Sequence, residues 1–164
     1  IARIKIIGNV NRDVEVPLSI NSYSNAHFGA PYNLLKGDEV AGMHDGWETR
    51  RHLKRPNEVQ KYFYNDYVKN CCNDYVVFKC LKELKSIKRI EIDTHHFKGN
   101  CPESVQVDVK EKWSGVYKTI LHRVKINPDS YNTIFPEHNC FVYDIEYIKF
   151  LIYPDGGVGR ISFY

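Results

Sequence analysis

Long hydrophobic runs and blocks of like charge are both missing from this 164-residue sequence. No apolar stretch approaches the roughly 20 residues that a membrane-spanning helix needs. The net charge is only +3, and the basic residues are scattered among acidic ones, which is not the pattern of a nucleic-acid-binding surface. We therefore expect neither a membrane nor a nucleic acid as a partner.

The five cysteines lack the spacing of a metal site. Cys71 and Cys72 are adjacent, whereas Cys80, Cys101 and Cys140 are widely separated, and no Cys or His pair has zinc-type spacing. Free thiols of this kind are typical of a reducing cytosol. We expect a cytoplasmic protein with no cofactor and no tightly bound metal.

The pattern of apolar residues predicts an all-β protein. The 13% aromatic content, with 12 Tyr, favours strands. Short strand-like segments follow one another at 75–81, 87–94, 104–109, 113–124, 147–153 and 158–163. The segment 18–35 has loop composition, and only 56–70 has helical spacing. Many short strands with turn residues between them predict a β-sandwich or jelly roll.

The two ends of the chain share a pattern. Residues 1–7 and 158–164 both combine β-branched residues, an Arg and a following Ile. This similarity predicts a duplicated protein. We expect 1–10 to be the last strand of a preceding repeat, 11–17 a linker, and 18–164 one complete β-sandwich repeat.

Residues 45–51, which read Asp-Gly-Trp-Glu-Thr-Arg-Arg, hold the densest group of reactive side chains. The Asp-Gly pair marks a turn. A strand that starts there would turn Trp47 and Thr49 to one face and Glu48 and Arg50 to the other. The stretch is either a solvated turn with Trp47 in the core, or a site in which an arginine binds a carboxylate.

A second polar group runs from Asp93 to Glu103 and includes two histidines, a lysine and an asparagine. It is either a loop whose side chains satisfy turn backbone or part of a site. Arg160 lies in an apolar strand, where an arginine needs a partner. That partner is an acid such as Asp45, Glu48 or Asp93, or a bound anion.

Four ordered motifs together resemble the allantoicase family. They are residues 45–51, residues 93–104, the pair of segments 121–123 and 128–130, and residues 152–157 with Arg160. The resemblance covers nearly the whole chain from about Val16 onward. It implies a galactose-binding-domain-like jelly roll, repeated twice per subunit, in a homo-oligomer. It also implies the hydrolysis of allantoate, a small ureide, to ureidoglycolate and urea.

The chemistry of that substrate assigns roles to the polar residues. Losing urea requires a carboxylate clamp, a general acid and a general base. We predict Arg50 or Arg160 as the clamp, Glu48 and His96 as acid and base, and Asp45 and Asp93 as the residues that orient them.

Four further residues complete the predicted binding set: Lys98, Asn100, Trp47 and Glu103. The first two are expected to donate hydrogen bonds to ureido oxygens. The alternative is a non-catalytic β-sandwich domain that binds a sugar or a small anion, or that serves assembly.

Overall fold

The structure, a computed structural model, describes residues 13–53, 72–136 and 144–164. In these ranges it consists of strands, loops and two short 3-10 helices, Pro31–Leu35 and Met43–Asp45. The strands are β1 (Leu18–Tyr23), β2 (Trp47–Glu48), β3 (Asp74–Cys80), β4 (Ile90–Asp93), β5 (Ser104–Glu111), β6 (Tyr117–Lys125), β7 (Tyr131–Ile134), β8 (Ile145–Tyr153), β9 (Gly157–Val158) and β10 (Arg160–Phe163). None of the helices in these ranges has the length and apolarity to cross a membrane.

Two antiparallel sheets form the sandwich. One has five strands in the order β1-β3-β8-β5-β6, and the other has three in the order β10-β4-β7. The strict alternation of β5 explains its place: Val105, Val107 and Val109 are fully buried, whereas Gln106 and Asp108 are partly exposed. Such a period of two turns one face of a strand to the core.

The core lies between the two sheets. The ring of Phe78, on the five-stranded sheet, packs edge-to-face against that of Phe163 on the three-stranded sheet, with centroids 5.9 Å apart. Ile92 and Ile161 pair across the three-stranded sheet and are buried in the same cluster. The predicted all-β jelly-roll sandwich is therefore confirmed.

β1 was not expected, because its residues fall in a segment with loop composition. Leu18 and Ile20 pack against the core, but Asn21, Ser22 and Tyr23 are exposed, so the apolar alternation is short and its pattern is weak. The antiparallel pairing with β3 makes this segment a strand, and the residue pattern of β1 does not reveal that pairing. The expected strand or strands over 113–124 are one strand, β6, and Trp113 lies exposed in the turn before it.

Two sequence expectations fall on residues that are not described. The proposed strand in 1–10 and the helix or insertion over 56–70 lie outside the described residues. The expected linker, 11–17, is described from residue 13. There Val16 is buried and its N–H donates to the Phe163 carbonyl oxygen at 2.8 Å. The assignment of a preceding repeat stays a prediction.

The loops that carry the polar motifs meet at one end of the sandwich. Register brings Asp93 opposite both Arg160 and Tyr131, and Ser104 opposite Tyr153. Within each sheet, the segments that follow or precede these residues therefore leave at one edge. The two edges meet where the Gly157 N–H donates to the Asn100 carbonyl oxygen and the Gly159 N–H donates to the Asp93 carbonyl oxygen, each at 2.8 Å. A third, two-stranded sheet, β2 with β9, joins the loop end by pairing Glu48 with Gly157.

Candidate active site

Arg160, the first residue of β10, binds the segment 38–45 to that strand. Its Nη2 lies 2.6 Å from Asp45 Oδ2 and 3.2 Å from Asp38 Oδ1, and its Nη1 donates to the Asp45 carbonyl oxygen at 2.6 Å. The residue is only 7% exposed. We call this group the Arg160 clip. Asp45 is one of the three acids named above as expected partners of Arg160, whereas Asp38 was not expected.

The clip changes the roles expected for its two members. Lys36 also pairs with Asp45, and hydrogen bonds from Lys36 first and Arg160 second hold the pKa of that carboxyl well below its usual range. The donors of Arg160 point to residues 38–45 and not to open space. Arg160 as a carboxylate clamp and Asp45 as an orienting acid do not fit this arrangement, since both shape the loop.

The alternation expected around β2 is confirmed. Trp47 and Thr49 are buried, whereas Glu48 is partly exposed and Arg50 is exposed. Trp47 is 0% exposed, and its indole N–H donates to the Asn25 carbonyl oxygen at 2.8 Å. The predicted substrate-binding role of Trp47 is corrected to a core role, because a fully buried ring cannot touch a bound molecule.

Glu48 reaches across to the second polar motif. Asn100 Nδ2 donates to Glu48 Oε1 at 2.6 Å, although the two residues are 52 positions apart. We call them the Glu48 pair. The Arg50 backbone N–H donates to Asn25 Oδ1 at 3.1 Å, while its exposed guanidinium has no hydrogen-bond or ion-pair partner in the described part of the chain. A cationic group, a carboxylate and an amide therefore lie along one stretch of surface.

A cleft of about 240 Å³ opens beside the end of β4. We call it the His95 cleft. It is lined by Glu39, Val40, Asp93, His95, His96 and Tyr131. Asp93 is only 4% exposed, and its Oδ1 accepts the His95 backbone N–H at 2.8 Å and lies 2.7 Å from His95 Nδ1.

His96 is held in place by contacts to the loops around it. Its backbone has a φ of 71°, its N–H donates to Asp129 Oδ1 at 2.9 Å, and its Nε2 lies 2.9 Å from the Val40 carbonyl oxygen. No hydrogen bond joins it to Glu48 within the described ranges. The expected acid and base, Glu48 and His96, are thus engaged by different partners.

Two other predicted binding residues, Lys98 and Glu103, each have a partner of opposite charge. Lys98 Nζ lies 3.5 Å from Asp129 Oδ2 and is largely exposed. The hydrogen bond from the His96 amide, with Lys98 nearby, lowers the pKa of the Asp129 carboxyl. Glu103 Oε2 accepts from Arg123 Nη2 at 3.0 Å. The binding roles of Lys98 and Glu103 stay predictions.

His95, Tyr131 and Glu39 line the cleft but are not among the site residues that the sequence predicts. The available signal was an acid at the last position of a buried strand with a histidine two residues later, a spacing that lets the carboxylate accept the histidine N–H. As for metals, no group of three His, Cys, Asp or Glu side chains capable of holding an ion is found among residues 13–53, 72–136 and 144–164.

Comparison with known proteins identifies the repeat. The family model described as the allantoicase repeat matches residues 14–164. The chain is 33% identical over 153 residues to the allantoicase of Saccharomyces cerevisiae, covering 85% of this chain and 38% of the relative. It is 26% identical over 188 residues to a probable allantoicase 2 of Burkholderia mallei, covering 100% of this chain and 51% of the relative.

Solved structures agree with the sequence relatives. One described as the structure of allantoicase superposes with a TM-score of 0.73 at 28% identity, covering 90% of this chain and 40% of that one. An F5/8 type C domain from Bacteroides fragilis superposes with a TM-score of 0.64 at 13% identity, a likeness of fold alone. The chain spans between 38% and 51% of the two sequence relatives named above. It belongs to the allantoicase family.

Proposed function

We propose that this chain catalyses the hydrolysis of allantoate to ureidoglycolate and urea. The observation that carries the proposal is the Glu48 pair, in which two of the four motifs meet at 2.6 Å through Glu48 Oε1 and Asn100 Nδ2. Family membership over residues 14–164 supports the same reaction.

The substrate has two kinds of group to bind. Allantoate carries one carboxylate and two ureido groups on a single carbon. The exposed guanidinium of Arg50 is suited to the carboxylate, because arginine donates two parallel hydrogen bonds to it. The Glu48 pair offers an acceptor and an amide to the ureido group beside it. Orientation of this kind can contribute several kcal/mol to a reaction barrier.

The test is urea release from allantoate. Urea is measured enzymatically after incubation of the 164-residue chain alone and of a fusion of two copies in tandem, with heat-denatured protein as the blank. We expect release from at least the tandem form. Calorimetric titration with allantoate, glycolate and galactose runs alongside. Galactose binding with no urea release from either form would favour the sugar-binding alternative and reject the proposal.

Assembly and location belong to the same proposal. Relatives that are about twice as long support a functional unit with more than one repeat, and we propose a homo-oligomer of it. Cys80 and Cys101 are free thiols, which fits the cytosol. Light scattering after size exclusion tests the first statement, and cell fractionation tests the second.

A further inference from the structure

The buried carboxylate of Asp93 and the ring of His95 form a matched pair at the wall of the His95 cleft. We propose that His95, oriented by Asp93, is the acid–base catalyst that releases urea. This inference rests on the proposed function. It replaces His96, the histidine that the motif alone favours, with its neighbour.

The geometry fixes which ring nitrogen of His95 is available. A carboxylate can only accept, so the 2.7 Å contact to Asp93 Oδ1 requires a proton on His95 Nδ1. The same oxygen accepts the His95 backbone N–H at 2.8 Å, and this pins both ends of the residue. Nε2 is then the nitrogen left for a ligand in the cleft. A second hydrogen-bonded group that sets the tautomer is a common feature of catalytic histidines.

Tyr131 also contacts the ring of His95. Its ring packs edge-to-face against that of His95 with centroids 4.6 Å apart. The negative charge of Asp93 is the main cause that raises the pKa of Tyr131, so the phenol keeps its proton and remains a donor. The imidazole therefore contacts both a buried carboxylate and an aromatic ring, while its own side chain stays 39% exposed.

His96 does not offer the same arrangement. Its Nε2 lies 2.9 Å from the Val40 carbonyl oxygen, and its amide is bound by Asp129. The positive φ of His96 turns its side chain away from the course of the strand that precedes it. Holding the loop 38–45 against the loop after β4 is the role that these contacts describe.

The lining of the cleft selects the ureido end of the substrate. Glu39 and Asp93 contribute carboxylates, and neither Lys nor Arg is among its lining residues in the described part of the chain. Such a lining accepts N–H groups and disfavours a carboxylate. The ureido groups are therefore the part of the substrate that this cleft suits.

The proposed step conserves atoms and charge. The His95 imidazolium gives its Nε2 proton to the departing ureido nitrogen, and the C–N bond breaks with its electron pair on that nitrogen, which releases urea. The remaining ureido nitrogen shares its lone pair with the carbon as a cationic C=N bond. Water adds to the carbon and returns a proton to His95 Nε2. The products are ureidoglycolate and urea.

The experiment compares variants of the two cleft histidines in whichever form of the protein releases urea. We expect His95→Gln to lower kcat at least about a hundredfold with KM changed only a few-fold. Imidazole added to His95→Ala is expected to restore part of kcat. His96→Gln is expected to lose less than His95→Gln. His122→Gln, an exposed histidine on β6, is the matched control and should behave as wild type.

Asp93 is tested as a positioning residue. Nitrogen NMR of the labelled chain should show His95 protonated at Nδ1, and Asp93→Asn should mix the two tautomers and lower kcat. Melting curves check that each variant is folded. If wild type releases no urea in any form, the proposed function fails and this inference fails with it. If wild type is active but His95→Gln keeps its kcat, or if His95 carries its proton on Nε2, only this inference is overturned.

Discussion

Arg160 Nη2 lies 2.6 Å from Asp45 Oδ2, and Nη1 of the same guanidinium lies 2.6 Å from the Asp45 carbonyl oxygen. Removing this group takes one donor from the Asp45 carboxylate, which keeps Lys36, and leaves the Asp45 carbonyl oxygen without its donor. We expect Arg160→Met to lower the free energy of unfolding by roughly 1–3 kcal/mol. Thermal melting measures the change, and Lys125→Met on exposed surface is the control. A melting temperature within about 2 °C of wild type would contradict this role.

The clip also makes the free energy of unfolding depend on pH. The pKa of Asp45 is lowered in the folded state, so its contribution to stability is complete above the ordinary Asp value of about 4. It is lost progressively as the pH falls below that value towards the folded pKa. We expect the difference in unfolding free energy between wild type and Asp45→Asn to become smaller as the pH is lowered from 5 to 2. Urea denaturation at each pH measures this difference. A difference that is constant with pH would show that this carboxylate is not the cause.

Gly157 is required by the ring of Phe97. A Cβ at Gly157 would lie 2.1 Å from Phe97 Cε1, and Phe97 is fully buried. We expect Gly157→Ala to cost roughly 1–3 kcal/mol. Adding Phe97→Leu should recover part of that loss, so a double-mutant cycle should give a coupling above about 0.5 kcal/mol. Gly115→Ala, where nothing lies within 4 Å, should be neutral. If the effects of Gly157→Ala and Phe97→Leu on stability are additive, the cost of Gly157→Ala does not come from its contact with Phe97.

Glu48→Gln keeps the size of the side chain and removes its charge. If Glu48 takes part in proton transfer, kcat for urea release should fall at least about a hundredfold. Glu83→Gln, an exposed glutamate away from the site, serves as the control and should leave kcat unchanged. Near-normal turnover of Glu48→Gln would reject a catalytic role for Glu48 and leave the reaction to the His95 cleft.

The fold could be predicted from the sequence more completely than the site. The alternation of Val105, Val107 and Val109 is a local pattern, so the strand and its buried face follow from it directly. That Arg160 has an acid or a bound anion as its partner also follows from the sequence, because a buried guanidinium needs one. β1 was missed since its pairing with β3 is what makes it a strand.

The choice between His95 and His96 shows why the site was harder to predict. The two residues are adjacent, and their difference arises from one backbone torsion, the φ of 71° at His96, and from contacts with segments far away in sequence. Neither the backbone torsion nor the contacts with distant segments can be read from a residue pattern. Trp47 is a similar case, because an aromatic beside charged residues is found in cores and in binding sites alike.

The Arg160 clip has a consequence for synthesis of the chain. Its two acidic partners are 115 and 122 positions before Arg160, and β10 is the last strand of the sheet that carries Asp93. On the ribosome, the segment 38–45 emerges long before the strand that fastens it. The clip can therefore form only after residue 160 has been translated, and the segment 38–45 takes its final place only then.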